Sequence, residues 1–425
     1  MCLVAFGCGA TEDTAEDTTG ALASGETGIE GCNPACENGG ACVEEDGEWT
    51  CDCPLEFEGE TCSTDRSVGL AERPSNVGCV APPPPADLSP PVLPTLLSET
   101  GCFGADGNPS AGLVPYSLVA PLWSDNASKR RYIALPDGTH ATLNDRGDFL
   151  FPVGTVLVKE FLLEDVRVET RLLMQHSDGF WAGYSYAWVD SDGTFLPEGE
   201  LLPEAVDPVT RDVPSLDETW TYPSREECLG CHTDAAARSL GVEVGHLNVD
   251  MAYPGGQTAN QLYTLWSLGL LEGDIEPYGS RAYPAYDDET APLADRVWSY
   301  LNVNCSGCHN RIGGPGGLGV SRMPDVRYDL MADPEEPHFL TTSLCGAVST
   351  AADIGLGPDA LLVSPGNPGT WSDLDAGGSV MYLRMAARPD LAGTIGVMPP
   401  IGTALPDTEG GLPIVSEWIA NLTCP

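Results

Sequence analysis

The sequence predicts a multidomain chain: a small disulfide-rich module, then a β-rich domain shaped as a sandwich or barrel, then a mainly α-helical region. Three observations carry this reading. Six cysteines crowd residues 32 to 62, short β-branched and aromatic runs separated by Asp-Gly turns fill Arg131 to Thr194, and beyond Tyr222 the apolar residues recur at helical spacing. The 425 residues, 42% of them hydrophobic, suffice for two or three domains, and no apolar run is long enough to span a bilayer. Sixteen cysteines suit an oxidising compartment better than a cytosol. A formal net charge of −44 repels nucleic acid and anionic headgroups and steers basic partners toward the surface.

Residues 1 to 30 read as a signal remnant followed by an acidic linker. Leu3-Val-Ala-Phe-Gly-Cys8 resembles the end of a bacterial lipoprotein signal, with small Gly7 before the cysteine that would be acylated. The only membrane contact expected is a lipid anchor at that cysteine.

Residues 31 to 63 hold the cysteines in the order Cys32-x3-Cys36-x5-Cys42-x8-Cys51-x-Cys53-x8-Cys62, with Asn38-Gly-Gly40 and Gly59-Glu-Thr-Cys62 between. Six cysteines allow fifteen pairings in principle. The pattern resembles an EGF-like module, and that resemblance implies Cys32 with Cys42, Cys36 with Cys51, and Cys53 with Cys62. About thirty residues bury too little apolar area to fold alone, so the bridges must supply stability. The acidic consensus of calcium-binding members is absent from Thr27-Gly-Ile-Glu-Gly-Cys32, and calcium is not expected.

Residues 64 to 94 end in a stiff linker marked by Pro82 to Pro85, Pro90, Pro91 and Pro94. The β-rich domain is expected over 95 to 221, with strands in Thr155-Val-Leu-Val158, Val166 to Leu173 and Trp181 to Trp188 and turns at Pro136-Asp-Gly, Ser177-Asp-Gly and Ser191-Asp-Gly. Asp190-Ser-Asp192-Gly193 lacks the further ligands a metal loop needs and reads as a turn.

The helical part divides into 222 to 290 and 291 to 425. Leu262, Leu265, Trp266 and Leu270 mark a helix within Gln257 to Leu271; Pro292 opens another that runs through Val297, Trp298 and Leu301 into Cys305; Leu412, Val415, Ile419 and Leu422 mark the last. Each part contains one Cys-x-x-Cys-His pentapeptide: Cys228-Leu-Gly-Cys231-His232 and Cys305-Ser-Gly-Cys308-His309. That spacing reads as covalent attachment of c-type haem, because two thiols reach the two vinyl groups on one porphyrin edge while the adjacent imidazole ligates iron. Two matches in a chain with only six histidines are hard to assign to chance. Structural zinc fits less well, since the two units lie far apart and each is followed directly by His. A thioredoxin-like pair would need a βαβ context, and Gly313-Gly-Pro-Gly-Gly317 does not provide one.

An apolar helix entering the second motif and another closing the chain resemble the paired terminal helices of a class I cytochrome c domain. That resemblance makes Met398, in Gly396-Val-Met398-Pro399-Pro400, the expected distal ligand opposite His309; Met381 and Met385, one turn apart on a helix, read as core. For the iron on His232 the candidates are His246, Met251, His176 and Met174, with His246 favoured. From about residue 70 onward the chain resembles a bacterial family of two-haem c-type cytochromes with a β-rich region before the haems. The matching stretches are Arg73-Pro-Ser-Asn76, Ala120-Pro-Leu-Trp-Ser-Asp125, Phe151-Pro-Val-Gly-Thr-Val-Leu-Val-Lys159 and Leu247-Asn248, besides the two motifs. The resemblance implies two covalent haem c groups and electron transfer; the cysteine content and signal-like N-terminus place the protein in the cell envelope, periplasmic or at the surface, and the acidic charge favours basic redox proteins as partners. The alternatives are a two-haem peroxidase, in which one iron lacks its distal ligand, and a surface binding protein acting through the EGF-like part. Cys79, Cys102, Cys345 and Cys424 remain for structural disulfides of unassigned pairing.

Overall fold

The computed structural model describes residues 31–423 except 46, 55, 68, 83–91, 204–206, 235, 276, 278–280, 310–324, 329–343, 345–346, 350–354, 375–376, 388–395 and 400–401. The N-terminal cysteines close a module around two hairpins, β1 (Ala41–Glu45) with β2 (Glu48–Asp52) and β3 (Phe57–Glu58) with β4 (Thr64–Asp65). Its bridges are Cys32–Cys42, Cys36–Cys51 and Cys53–Cys62, the pairing implied by the EGF-like resemblance. A fourth bridge joins Cys79 to Cys102, both fully buried. Cys345 and Cys424, the N-terminal tail with Cys8, and most of the proline linker lie outside the described residues.

The β-rich region is built on one sheet. β5 (Val114–Tyr116), β6 (Ser128–Ala134), β9 (Val156–Leu163), β10 (Val166–Gln175), β11 (Trp181–Val189) and β12 (Phe195–Leu201) pair antiparallel in the order β12-β11-β10-β9-β6-β5. The small hairpin of β7 (Thr142–Leu143) and β8 (Phe149–Leu150) fills the step from β6 to β9. The sandwich or barrel expected from the sequence is thus an open meander, because helices and a ribbon cover the face that a second sheet would cover. Glu164 and Asp165 turn the β9–β10 hairpin with φ of 45° and 64°, the double left-handed conformation that matches strand twist. The three Asp-Gly turns read from the sequence each end on a left-handed glycine, Gly138, Gly179 and Gly193. Asp190 Oδ1 accepts the Asp192 and Thr194 amides at 2.9 Å, so that segment is an Asx turn.

Side chains alternate across the sheet. One face, with Val158, Leu172, Met174, Tyr184 and Tyr186, packs under Leu93, Leu97, Phe103 and Leu113. The other carries two apolar patches. At one end Ile133, Leu157, Leu173 and Trp181 meet the helical part through Val244, Leu247 and Leu262; at the other Phe161, Ala187 and Val189 meet the ribbon of β13 (Val209–Val213) and β14 (Glu218–Tyr222).

The helical elements are α1 (Arg225–Cys231), α2 (Val244–Leu247), α3 (Gln261–Ser267), α4 (Leu293–Cys305), α5 (Val380–Ala386) and α6 (Gly411–Asn421). α3 is shorter than its apolar spacing suggests: Thr258–Asn260 pairs as β16 with β15 (Asp250–Ala252), and Asn260 then caps the helix by accepting the Tyr263 amide. α4 runs into Cys305 and packs on α6 through Val297, Leu301, Val415 and Ile419, with Trp298 edge-on to Trp418 at 5.7 Å.

Candidate functional site

Ser224-Arg-Glu-Glu227 forms a capping box that starts α1: Ser224 Oγ accepts the Glu227 amide at 3.2 Å and Glu227 Oε2 accepts the Ser224 amide at 2.8 Å. The box fixes where Cys228 and Cys231 project, one turn apart on the same helix face. Cys228 lies against Gly183 of β11, where an added Cβ would stand 2.8 Å from its Sγ. His232 follows as the helix C-cap. Its Nδ1 is 2.6 Å from the Arg238 carbonyl oxygen, which fixes the ring orientation and leaves Nε2 as the nitrogen that could take a ligand. Burial, reinforced by Lys159, pulls His232 down to about 3, so the imidazole is neutral, the form that binds metal. Burial pushes the Cys228 thiol up and Cys231 up to about 11. These are protonated thiols, without the depressed pKa of a thioredoxin-like nucleophile.

The first motif opens on a solvent-open cavity of about 80 Å³. Cys228, Cys231 and His232 line it together with Lys129, Lys159 and Arg171 of the sheet; Asn304, Pro399 and Thr403 reach it from the second motif and the C-terminal loop.

Far apart in sequence, the two motifs touch. Thr233 Oγ1 donates to the Gly307 carbonyl at 2.8 Å, and the Cys308 thiol points at the Gly230 carbonyl at 3.5 Å. Gly307 permits this approach: a Cβ there would sit 2.9 Å from Leu240 and 3.3 Å from the Cys231 carbonyl. Burial raises Cys305 to about 12, pushes Cys308 up, and lowers His309, whose Nδ1 has no hydrogen-bond partner among the described residues.

Met398 is half-buried in a loop tied to this motif's surroundings. Its amide donates to the Arg384 carbonyl at 3.0 Å, Arg384 Nε donates to the Gly396 carbonyl at 2.6 Å, and the Arg384 charge acts on His309. The β region holds the same loop from the other side. Asp125 accepts the Ala404 amide at 2.8 and 3.0 Å and the Leu405 amide at 2.8 Å, while Trp123 Nε1 donates to the Leu405 carbonyl and its amide to Asn304 Oδ1. The stretch Ala120 to Asp125 therefore staples the sheet to both the residue before Cys305 and the Met398 loop.

The candidates opposite His232 do not assemble there. His176 spends both ring nitrogens, on the Pro82 carbonyl at 2.8 Å and Tyr184 Oη at 2.9 Å. Met174 is buried on the other face of the sheet. Met251 sits on β15, outside the cavity wall. His246 is fully buried and also outside that wall: its ring stands edge-on to Tyr283 at 4.9 Å, its Nε2 is 3.4 Å from Asn302 Nδ2, and burial lowers it to about 3. Met385 is core beneath α6, and Met381 packs at its edge.

Sequence reasoning did not reach Thr233 or Lys129, and it named Asp125 and Lys159 only as the ends of stretches that resemble the family, without a role. One signal for the lysines is visible: Lys129 and Lys159 are the only lysines in 425 residues.

The thiols and neutral imidazoles fit a c-type haem better than a metal cluster. Among the described residues, the one group of three or more potential ligands within 4.8 Å of one another is Cys32, Cys36 and Cys42, and all three are disulfide-bonded. Residues 32–61 match the family model of the EGF-like domain. No curated protein and no solved structure matches the chain. Among the described residues no helix is long and apolar enough to cross a membrane. An EGF-like domain held by disulfides, followed by a β-rich region, is what this chain is shown to contain, and such a domain marks an extracellular or exported protein.

Proposed function

We propose that the chain is an exported two-haem c-type cytochrome that carries electrons in the bacterial cell envelope. One observation carries the reading. In a chain whose eight other described cysteines are all disulfide-bonded, the four thiols of the Cys-x-x-Cys-His motifs are free, and the two motifs fold against each other. Adjacent thiols in an oxidising compartment persist when their sulfurs are committed elsewhere, and haem attachment commits them. When bound, haem supplies one-electron iron chemistry. His232, through Nε2, and His309 would ligate the two irons, and Met398 would supply a further ligand to the iron held by His309. The contact between the motifs favours electron exchange within the chain, and the acidic surface favours docking of basic redox proteins.

The test is to express the protein with c-type maturation machinery and weigh it after denaturation. Two haems should remain attached, and Cys308→Ala should weaken one attachment. Recovery of zinc without covalent haem overturns the reading. A high-spin iron that turns over peroxide in the unmutated protein reassigns it as a peroxidase.

A further inference from the structure

The face of the sheet beneath the first motif carries an unusual row. Arg131 on β6 stands opposite Lys159 on β9, and Lys159 stands opposite Arg171 on β10. Like charges facing each other across strands cost stability. This chain has only 19 lysines and arginines against 63 acidic residues, yet it lines three cations up between two apolar patches. Lys129 stands one row further along the same face. Both lysines line the cavity with Cys228, Cys231 and His232.

Their compensation within the protein is partial. Arg171 is clamped to Glu169 at 2.8 and 3.0 Å. Arg131 is buried, and among the described residues its Nε and Nη2 have no hydrogen-bond partner. Lys159 forms no ion pair among the described residues, and Lys129 donates to the Ala127 carbonyl. The nearby acids are occupied, Asp125 by the Ala404 and Leu405 amides and Glu227 by the capping box. Burial lowers both lysines from their ordinary value, and an anion in the cavity would offset that loss of charge, so a site of this composition favours one.

We propose that Lys129 and Lys159 bind the propionates of the haem attached at Cys228 and Cys231, with Arg131 behind them adding to the positive potential. This rests on the two-haem reading above. It assigns the porphyrin an orientation, vinyl edge on α1 and carboxylates toward the sheet. A compact ammonium suits a carboxylate that approaches from the cavity, where a longer guanidinium would fill the space.

The test uses holoprotein with two covalent haems, read by resonance Raman at the propionate bending band. Lys159→Met and Lys129→Met should each shift the part of that band belonging to one haem, leaving spin-state bands and haem count unchanged. Lys159→Arg should restore part of the shift. Arg130→Met, the same charge change on an exposed neighbour, should move nothing. If Lys159→Met does not accumulate, Lys129→Met carries the test. An unmoved band in the lysine variants overturns the proposal, as does a low-spin to high-spin change, which would make the lysine an iron ligand. A shift of the parent band on adding phosphate also overturns it, by placing a free anion in the row. A parent without covalent haem refutes the two-haem reading instead.

Discussion

Asp125→Ala removes the carboxylate that holds the segment after Met398 to the sheet. Two backbone donors lose their charged acceptor, the Ala404 amide at 2.8 and 3.0 Å and the Leu405 amide at 2.8 Å. A hydrogen bond to a charged group contributes about 1.5–3 kcal/mol, so the two donors together are worth about 3–6 kcal/mol. The backbone adds to this, because residue 125 has φ of 44°, a left-handed conformation that Asp tolerates better than Ala. Asp125→Asn keeps a neutral acceptor and the backbone preference, and should lose roughly half as much. Amide hydrogen exchange at Ala404 and Leu405 reads the effect locally. A 3 kcal/mol loss corresponds to exchange faster by about a hundredfold, since each 1.36 kcal/mol is about tenfold. Unchanged protection at Leu405 in the Ala variant, with unchanged global stability, would refute the staple.

Met398→Ala should lower the potential of one haem and abolish the weak sulfur-to-iron absorption near the red end of the oxidised spectrum, whereas Met385→Ala should cost stability and leave the band in place. His246 titrates near 3 in the fold against an ordinary 6.5 because burial penalises the imidazolium. Below pH 6.5 the unfolded chain takes up a proton that the fold refuses, so stability falls with acidification at about 1.4 kcal/mol per pH unit, roughly 2 kcal/mol between pH 6.5 and 5. Urea unfolding at pH 7.5 and 5 should show a pH dependence in the parent that His246→Asn reduces by this amount, His232 keeping its own share, with the haem spectrum unchanged; an equal slope in both contradicts the assignment.

Local signals in the sequence reached far. Cysteine spacing located the EGF-like module, the Asp-Gly signals located three turns, two of them closing the β10–β11 and β11–β12 hairpins, and the apolar stripe of Val297, Trp298 and Leu301 located α4. What escaped depends on contacts between distant segments. Thr258–Asn260 reads as helical until Asp250–Ala252 pairs with it. His176 looks free for iron until the chain brings back Pro82, and the row of Arg131, Lys159 and Arg171 exists only once three strands fall into register. Nothing in either motif announces that Thr233 will grip Gly307.

Confining both lysines to one cavity leaves the outer surface without an ε-amine among its side chains. Acylating reagents and amine crosslinkers, which ordinarily map a protein's exterior, would here report on the occupancy of an interior wall. A mass gain at Lys129 or Lys159 would count molecules whose cavity stands open, and acidic-residue chemistry would be needed to capture any partner at the surface.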